Sequence, residues 1–505
     1  MSDDLRRVRL EKLERLKTAG IHPYPERFAK THSLAGAREL PMGTEGVRVA
    51  GRVVANRASG KFSFFNIQDM DARIQVKVDI GETGEQAFRQ FIEFVDLGDF
   101  VGVEGKLDKT KTGEITVFAK KWTFLGKALR PIPKAHFAPK DLELNWRYRY
   151  VDLICNEETR RRFRLRMNLI KSLRRSLEGV GFEEVETPVL CDHPSGALAK
   201  PFTSHHNSLD MQVFLRIAPE TYLKRCIVAG YDKVYEFARC FRNEGMDPSH
   251  LQDFTMLEWY ASYWNYEDNM NFTEKMVKQA LHDCLGKLEV TRGGKTISFD
   301  GTWPRLRLRD VILEHSGIDI DQHREAASLR SAIFAKKVEL ENPGAGRGSL
   351  IDQLYKKTAR RQLVNPTFII RHPTDLSPLA RMSDDNPDTV DRFQLVVDTW
   401  EVVNAYSELV DPIDQRQRLD SQAAEHAKGD AEAMMQDEDY LLAMEHGMPP
   451  ISGFGMGIDR FTALLTDVPN LRDVVLFPLL RPLTGPAQIP VDEEEPTRAP
   501  EPPKR

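Results

Sequence analysis

The sequence predicts an α+β protein in two parts, a small antiparallel β-barrel near the N-terminus and a larger region of strands and helices behind it. Three observations carry this prediction. Residues 47–78 and 98–125 are short alternating apolar and polar runs broken by Gly, Asp and Asn, the pattern of a small barrel. Phe163, Met167, Ile170, Leu173 and Leu177 then keep helical spacing until Gly179 and Gly181 stop it. Beyond them, strand patterns such as "FTMLEWYAS", "PTFIIRHP" and "RFQLVVDTWEVVNAYSEL" are interspersed with helical stretches.

The totals bound the answer. A chain of 505 residues has material for two to four domains and a large core. With a net charge of −5 it is not a basic nucleic-acid binder as a whole, so a nucleic-acid partner needs local patches. No apolar run reaches the roughly 18 residues that span a bilayer, and "MSDDLRRVRLEKLERLK" lacks the apolar core of a signal peptide. The five cysteines are scattered with no C-x-x-C pair, which points to free thiols in a reducing cytoplasm and away from structural zinc.

Taken in order, residues 3–19 read as a helix with Leu5, Val8, Leu13 and Leu16 near one side. Helix and barrel make a first domain over residues 1–130. Pro-rich "KALRPIPKAHF" opens a linker placed at 131–150. The second domain covers 151–484. In it "FEEVETPVL" reads as a strand ending at Pro188, residues 268–283 as a helix, and 286–360 as an insertion without obvious chemistry. "DPIDQRQRLDSQAAEHAKGDAEAMMQDEDYLLAMEHG" is helical, and "SGFGMGIDRFTALLTD" is a Gly-rich strand entering a helix. The tail, 485–505, is Pro- and charge-rich and reads as disordered.

Three stretches carry chemistry. In "CFRNEGMDPSHLQDFTMLEWY", Arg242, Glu244, His250, Phe254 and Glu258 fall close together. A solvated charged hairpin is one reading; a site that grips something anionic and aromatic is the other. On a strand, Phe254, Met256, Glu258 and Tyr260 share one face, and the apolar Leu257, Trp259 and Ala261 face the other way with Thr255. Arg242 can fork two phosphate oxygens, Phe254 can stack a base, and His250 can add charge against a polyphosphate. In "EVVNAYSEL", Asn404, Tyr406 and Glu408 point one way and suit a cationic ligand, whereas Glu401 has the wrong parity unless a bulge intervenes. In "GFGMGIDRF" a dinucleotide fingerprint fails, because Ile458 and Arg460 stand where its last glycine belongs. What remains is a strand with a bare face that a flat ligand can approach, and Arg460 at a helix start; tight strand–helix packing is the competing explanation.

These stretches, in this order and with "FEEVETPVL" before them, resemble the three signature motifs of class II aminoacyl-tRNA synthetases. "HPSGALAKPFTSHHNSLDMQVFLRIAPETYLKR", "SPLAR", "NAYSELVDPIDQRQR", "GKFSFFNIQD" and "KTKTGE" resemble the lysyl-tRNA synthetases in particular, over residues 5–482. The resemblance implies a six-stranded antiparallel catalytic sheet with helices, an N-terminal OB-fold anticodon-binding barrel, and a homodimer formed through the first motif. It implies ATP, L-lysine and tRNA(Lys) as substrates, Mg²⁺ as cofactor and a lysyl-adenylate intermediate.

By motif position, Arg242 would hold the α-phosphate, Glu244 would contact ATP, and His250 and Arg460 would hold the outer phosphates. Phe254 would stack the adenine against Arg460. Glu258 would take the α-amino group, with Gly196 and Glu220 closing the lysine pocket. Tyr260 and Glu408 would receive the ε-ammonium, Asn404 and Tyr406 lining the same wall. A neutral side chain would then leave Glu408 uncompensated. In the barrel, Phe64 would stack an anticodon base while Arg57, Gln75 and Glu114 read base edges; either Phe64 or its neighbour Phe65 belongs to the core, and Asn56 competes with Arg57 for its role.

Three departures stand out. Two glutamates seven residues apart hold magnesium in this family, and here the pair is Gln394 and Glu401, so that one ligand brings no charge. Asp398, Thr399 and Trp400 precede Glu401 where glycine is usual, and Ser195 replaces a second glycine in "PSGA". A synthetase paralogue that transfers lysine or an analogue to a protein or other acceptor is the alternative, though such paralogues lack the barrel. A non-enzymatic RNA-binding protein on a dead synthetase fold is the third reading, and the retained Arg242, Glu258, Glu401, Glu408 and Arg460 oppose it.

Overall fold

The structure, a computed structural model, describes residues 2–133, 142–193, 196, 199–427 and 437–483. Most of the linker reading, Ser195 and the 485–505 tail therefore lie partly or wholly outside the described residues. Two compact units form, one from the chain up to Arg161 with the segment that starts at Phe477, the other from Arg162 to Leu476.

In the first unit, five strands close a barrel: Val47–Ser59, Phe62–Gln68, Arg73–Asp79, Phe100–Lys109 and Ile115–Gly126. The fifth strand sits between the third and the fourth, parallel to the third. Alternation is what closes it. Val47, Val49, Val53, Phe65, Ile67, Ile74, Val76 and Val78 all turn inward, and Phe88, Phe91 and Phe94 of helix Glu85–Phe94 join the same cluster. The N-terminal helix, Ser2–Thr18, buries Leu13 and Leu16 as expected. Its Val8 is exposed, however, and Arg9 is buried instead, donating from one guanidinium nitrogen to the carbonyls of Ala128 and Arg130 at 3.0 Å each. Two backbone acceptors offset the desolvation of that charge, a partnership that apolar spacing does not reveal.

The second unit is built on a sheet of eight strands rather than six. Its six inner strands are antiparallel and run, across the sheet, Thr367–Pro373, Thr389–Val397, Trp400–Ser407, Ile451–Gly457, Asp253–Ser262 and Lys233–Phe241. Short strands pair in parallel at each edge, Arg305–Arg307 and Glu183–Glu184. The latter is all that "FEEVETPVL" contributes to this sheet; Leu190–Cys191 joins a separate three-stranded sheet, and Thr187 between them spends its hydroxyl on Glu236.

One face of the main sheet carries the core. Leu257, Trp259, Ala261, Phe393, Leu395, Val403, Phe454 and Met456 pack there with Leu169, Leu173 and Leu177 of helix Glu157–Glu178 and with helix Tyr266–Leu285. Met167, expected on the buried stripe, is exposed, and Leu169 replaces it. Trp259 and Phe454, directly cross-strand, stack at 3.3 Å between centroids. Helix Tyr266–Leu285 is fixed at both ends by an Asn265–Asp268 capping box and a left-handed Gly286. The region read as an insertion holds its own apolar cluster, with Leu308, Ile312, Ile333, Leu350 and Leu354 packed against Ile369 and Val396 of the sheet. No helix among the described residues is long and apolar enough to cross a membrane.

Candidate active site

The opposite face of the main sheet floors a cleft of about 360 Å³. Register sets out its floor in rows. Arg392 lies opposite Tyr406, which lies opposite Gly453, which lies opposite Tyr260. One row further, Gln394, Asn404, Gly455 and Glu258 line up in the same way. The parities read for Phe254, Glu258 and Tyr260, and for Asn404, Tyr406 and Glu408, all place these side chains on the cleft, with Leu257, Trp259 and Ala261 in the core.

Glu401 reaches the same face through a bulge. Leu395 pairs with Val403 but Val396 pairs with Glu401, so Val402 is the extra residue and both it and Val403 point to the core. Gln394 Nε2 donates to Glu401 Oε2 at 2.9 Å. The hairpin before Glu401 turns on Asp398 and Thr399, both at positive φ. Asp398 is tied to Arg292 at 2.9 Å, and that guanidinium lies 4.2 Å from the Trp400 ring centroid.

The glycines of "GFGMG" have unequal roles. A β-carbon on Gly453 would overlap Glu408 Oε1 and lie 2.5 Å from Tyr260 Cε1, whereas one on Gly455 would only touch the flexible end of Met256 at 3.2 Å. Gly453 thus makes room for a carboxylate and a phenol of the protein itself, and the bare strand face open to a flat ligand narrows to Gly455 and Gly457. Gly196, at φ +89°, closes down on Ala218 and Glu220.

Around this floor, one end is acidic. Glu220, Glu258 and Glu408 are all at least nine-tenths buried. Glu258 has an oxygen without a hydrogen-bond partner; burial, with Glu220 nearby, holds its carboxyl well above the usual range despite Arg242. Burial also pushes Glu408 up to about 8, against the pull of the Lys224 ammonium. The expectation that Glu408 stands uncompensated without a substrate is corrected here. Lys224, fully buried on helix Glu220–Val228, places Nζ 2.5 Å from Glu408 Oε2 and 2.7 Å from Glu220 Oε1. Tyr406 donates its hydroxyl to Glu220 at 2.9 Å.

The other end is cationic and aromatic. The Arg242 guanidinium lies 5.1 Å from the Phe254 ring centroid. His250 receives Arg460 at Nε2, 3.1 Å, and gives Nδ1–H to Asp247 at 2.7 Å. This chain of bonds fixes the tautomer. Burial opposes the Asp247 charge, but hydrogen bonds from Ser249 and His250 outweigh it and hold the carboxyl down at about 2. Glu244 lines the rim, its carbonyl facing Gln252 Nε2 at 3.4 Å.

Sequence reasoning missed three contributors. Arg392, two residues before Gln394 and so on its face, donates to Asn404 Oδ1 at 2.8 Å and Ser377 Oγ at 2.7 Å. Asp459 accepts the Thr255 amide at 2.8 Å and pairs with Arg166 at 2.6 Å. Lys224 is one helical turn from Glu220, a spacing that could have flagged it.

In the barrel, Phe65 is core and Phe64 lies on the outer face, cross-strand from both Arg57 and Lys77. Asn56 is engaged by the Ser63 hydroxyl at 2.7 Å. Gln75 accepts from the Thr116 hydroxyl at 2.8 Å, and Glu114 sits exposed in the turn before the last strand. Phe62 and Phe118, not singled out from the sequence, flank Lys77 at 5.8 and 5.6 Å.

Comparison with known proteins finds two family matches. Residues 141–481 match the family described as tRNA synthetases class II (D, K and N), and residues 47–125 match the OB-fold nucleic acid binding domain. A lysine–tRNA ligase of Carboxydothermus hydrogenoformans is 44% identical over 95% of this chain and 98% of its own. One from Moorella thermoacetica is 44% identical over the same shares, and one from Bacillus mycoides is 41% identical over 94% of this chain and 96% of its own.

Proposed function

The chain belongs to the class II tRNA synthetases (D, K and N), and from that premise we propose that it attaches L-lysine to tRNA(Lys) at the expense of ATP. A carboxylate oxygen of lysine attacks the α-phosphorus, the bond to pyrophosphate breaks, and lysyl-adenylate results. A terminal ribose hydroxyl of the tRNA then attacks the lysyl carbonyl and AMP departs. The observation that carries this reading is the polarity of the cleft: buried carboxylates at one end, arginines and an aromatic ring at the other. A dibasic amino acid and a nucleoside triphosphate laid end to end match that division of charge.

In this reading Arg242 neutralises the α-phosphate as charge develops on it, and Phe254 gives the adenine a stacking surface. Arg460 and His250 hold the outer phosphates, with Glu244 at the nucleotide rim. Glu258 takes the α-ammonium. Glu408 and Tyr260 take the ε-ammonium, with Asn404, Tyr406, Glu220 and Gly196 shaping the pocket. The protein contributes positioning and charge complementarity, and no covalent intermediate on the protein is required.

Glu401 supplies one anionic ligand fit for Mg²⁺, and Gln394, after an amide flip, would offer a neutral oxygen beside it. Bound there, the ion would screen phosphate charge. Phe64, Arg57, Gln75 and Glu114 form the anticodon-reading surface of the barrel. A homodimer is supported by Met167, Val189 and Leu190, large apolar side chains left exposed around the first motif. The cysteines, all free, fit a cytoplasmic setting.

Exchange of labelled pyrophosphate into ATP tests the first step. It should depend on lysine and on no other common amino acid. Charging of tRNA(Lys), with and without its anticodon, tests the second. Exchange without charging would favour a different acceptor, and the absence of both would end the proposal.

A further inference from the structure

We propose that Lys224 is a specificity-determining residue: its ammonium occupies a fixed place between Glu220 and Glu408 and sets the charge of the pocket to match a substrate with two ammonium groups. This rests on the lysine-activating reading above and goes beyond it, because Lys224 itself touches no substrate in that scheme.

Geometry makes the case. The Lys224 side chain is fully buried, and its Nζ lies within ion-pair distance of one carboxylate on its own helix, at 2.7 Å, and one from the strand end across the cleft, at 2.5 Å. The rings of Tyr260, Tyr406 and Tyr440 enclose it, with centroids 5.7, 6.0 and 5.6 Å away. Such a cation is costly to bury unless its partners are charged, so Lys224 favours ionised Glu220 and Glu408. Burial opposes its charge, yet the two carboxylates hold its proton well above the usual lysine range.

The charge count follows. Three buried carboxylates, Glu220, Glu258 and Glu408, face one buried ammonium, Lys224, in the acidic end of the cleft, while the Arg392 guanidinium beside Asn404 has Glu401 as its counter-charge. When all are ionised the surplus is two negative charges, the complement of the α- and ε-ammonium groups of lysine. Its carboxylate is left for Arg242. A pocket without Lys224 would carry one negative charge too many and would lose the ammonium that pulls against the raised Glu408 carboxyl. Glu408, the ε-ammonium acceptor, would then be the weaker partner.

The groups facing Lys224 are Glu220 on its own helix, Glu408 and Tyr406 from the strand Trp400–Ser407 and its end, Tyr260 from Asp253–Ser262, and Tyr440 from helix Glu438–Glu445. Glu408, Tyr260, Tyr406 and Tyr440 stay in place throughout the test, and Glu220 changes only in the double variant. Wild-type enzyme is first assayed for lysine-dependent pyrophosphate exchange; failure there refutes lysine activation itself. With that in hand, Lys224→Met should raise the lysine KM at least tenfold while kcat changes less. It should narrow the preference for lysine over norleucine and shift the rise of kcat/KM with pH upward.

The double variant Lys224→Met/Glu220→Gln restores the surplus of two and keeps an acceptor for the Tyr406 hydroxyl. It should regain at least a third of the lost affinity on a logarithmic scale. A merely structural Lys224 predicts the reverse, a double variant no better than the single one, and that result overturns the proposal. So does a Lys224→Met enzyme with wild-type KM and pH profile. If the single variant does not fold, Lys224→Gln and the double variant are compared with wild type instead, and a double variant that binds lysine no better than Lys224→Gln is equally fatal.

Discussion

Gly453 and Glu408 occupy the same space in alternation: the carboxylate fills the volume that any side chain on the glycine would need. The wall of the acidic pocket is therefore made by an absence on one strand and a charge at the end of the next. Tyr260, cross-strand from the glycine, completes it.

Replacing Gly453 by alanine should consequently injure the amino-acid end and spare the nucleotide end. The added methyl group displaces Glu408 or Tyr260. The expected outcome is a lysine KM raised at least tenfold with an ATP KM within about threefold of wild type. Overpacking of this kind costs about 1–3 kcal/mol of stability. Steady-state exchange kinetics and a thermal melt check both halves.

Arg242→Ala should abolish adenylate formation. Loss of a preorganised charge at the developing phosphate typically costs on the order of 10²–10³ in rate. Phe254 also loses the guanidinium that lies over it. Near-normal exchange by this variant would remove Arg242 from the α-phosphate.

The acidic pocket should make lysine binding depend on pH. Burial pushes the Glu408 carboxyl up to about 8, whereas a bound ammonium requires its ionised form. Lysine kcat/KM should therefore climb as pH rises towards 8 and then level off. The same group lowers fold stability over that range: its value is raised on folding, so its contribution is present at low pH and is lost as pH rises through the folded value. Added lysine should reverse that loss. Glu408→Gln should flatten the contribution of this group and raise the lysine KM on the order of a hundredfold, in keeping with about 3 kcal/mol for a broken buried pair. Titrations of KM and melting temperature from pH 6 to 9 decide it.

Gln394→Glu adds a second anionic oxygen next to Glu401, whose carboxylate now receives the Gln394 amide. Half-maximal activity should then need less Mg²⁺, by several-fold. An unchanged titration curve would exclude position 394 as a ligand.

Much of this site is legible along single strands. Alternation alone puts Glu258 with Tyr260 and Asn404 with Tyr406 and Glu408, because a buried sheet face leaves no other register. The parity conflict at Glu401 likewise announces the bulge that resolves it. Less legible are partnerships between distant segments. Nothing along the chain pairs Lys224 with Glu408, Asp459 with the Thr255 amide, or Arg9 with carbonyls beyond position 125. Polar side chains whose partners lie far away break the apolar spacing, which is why Arg9 displaces Val8 from the buried side of its helix. Short edge strands such as Glu183–Glu184 are missed because two residues hold no periodicity.

The inserted residue at Val402 has a practical corollary. Upstream of it the strand faces follow one phase, and downstream another, so drawing Val402 into the ladder would swing Glu401 toward the hydrophobic interior without rotating Asn404, Tyr406 or Glu408. On the roles proposed above, the metal-side carboxylate and the amino-acid side chains belong to separate halves of one strand, so selection or engineering could retune either while the other stays as it is.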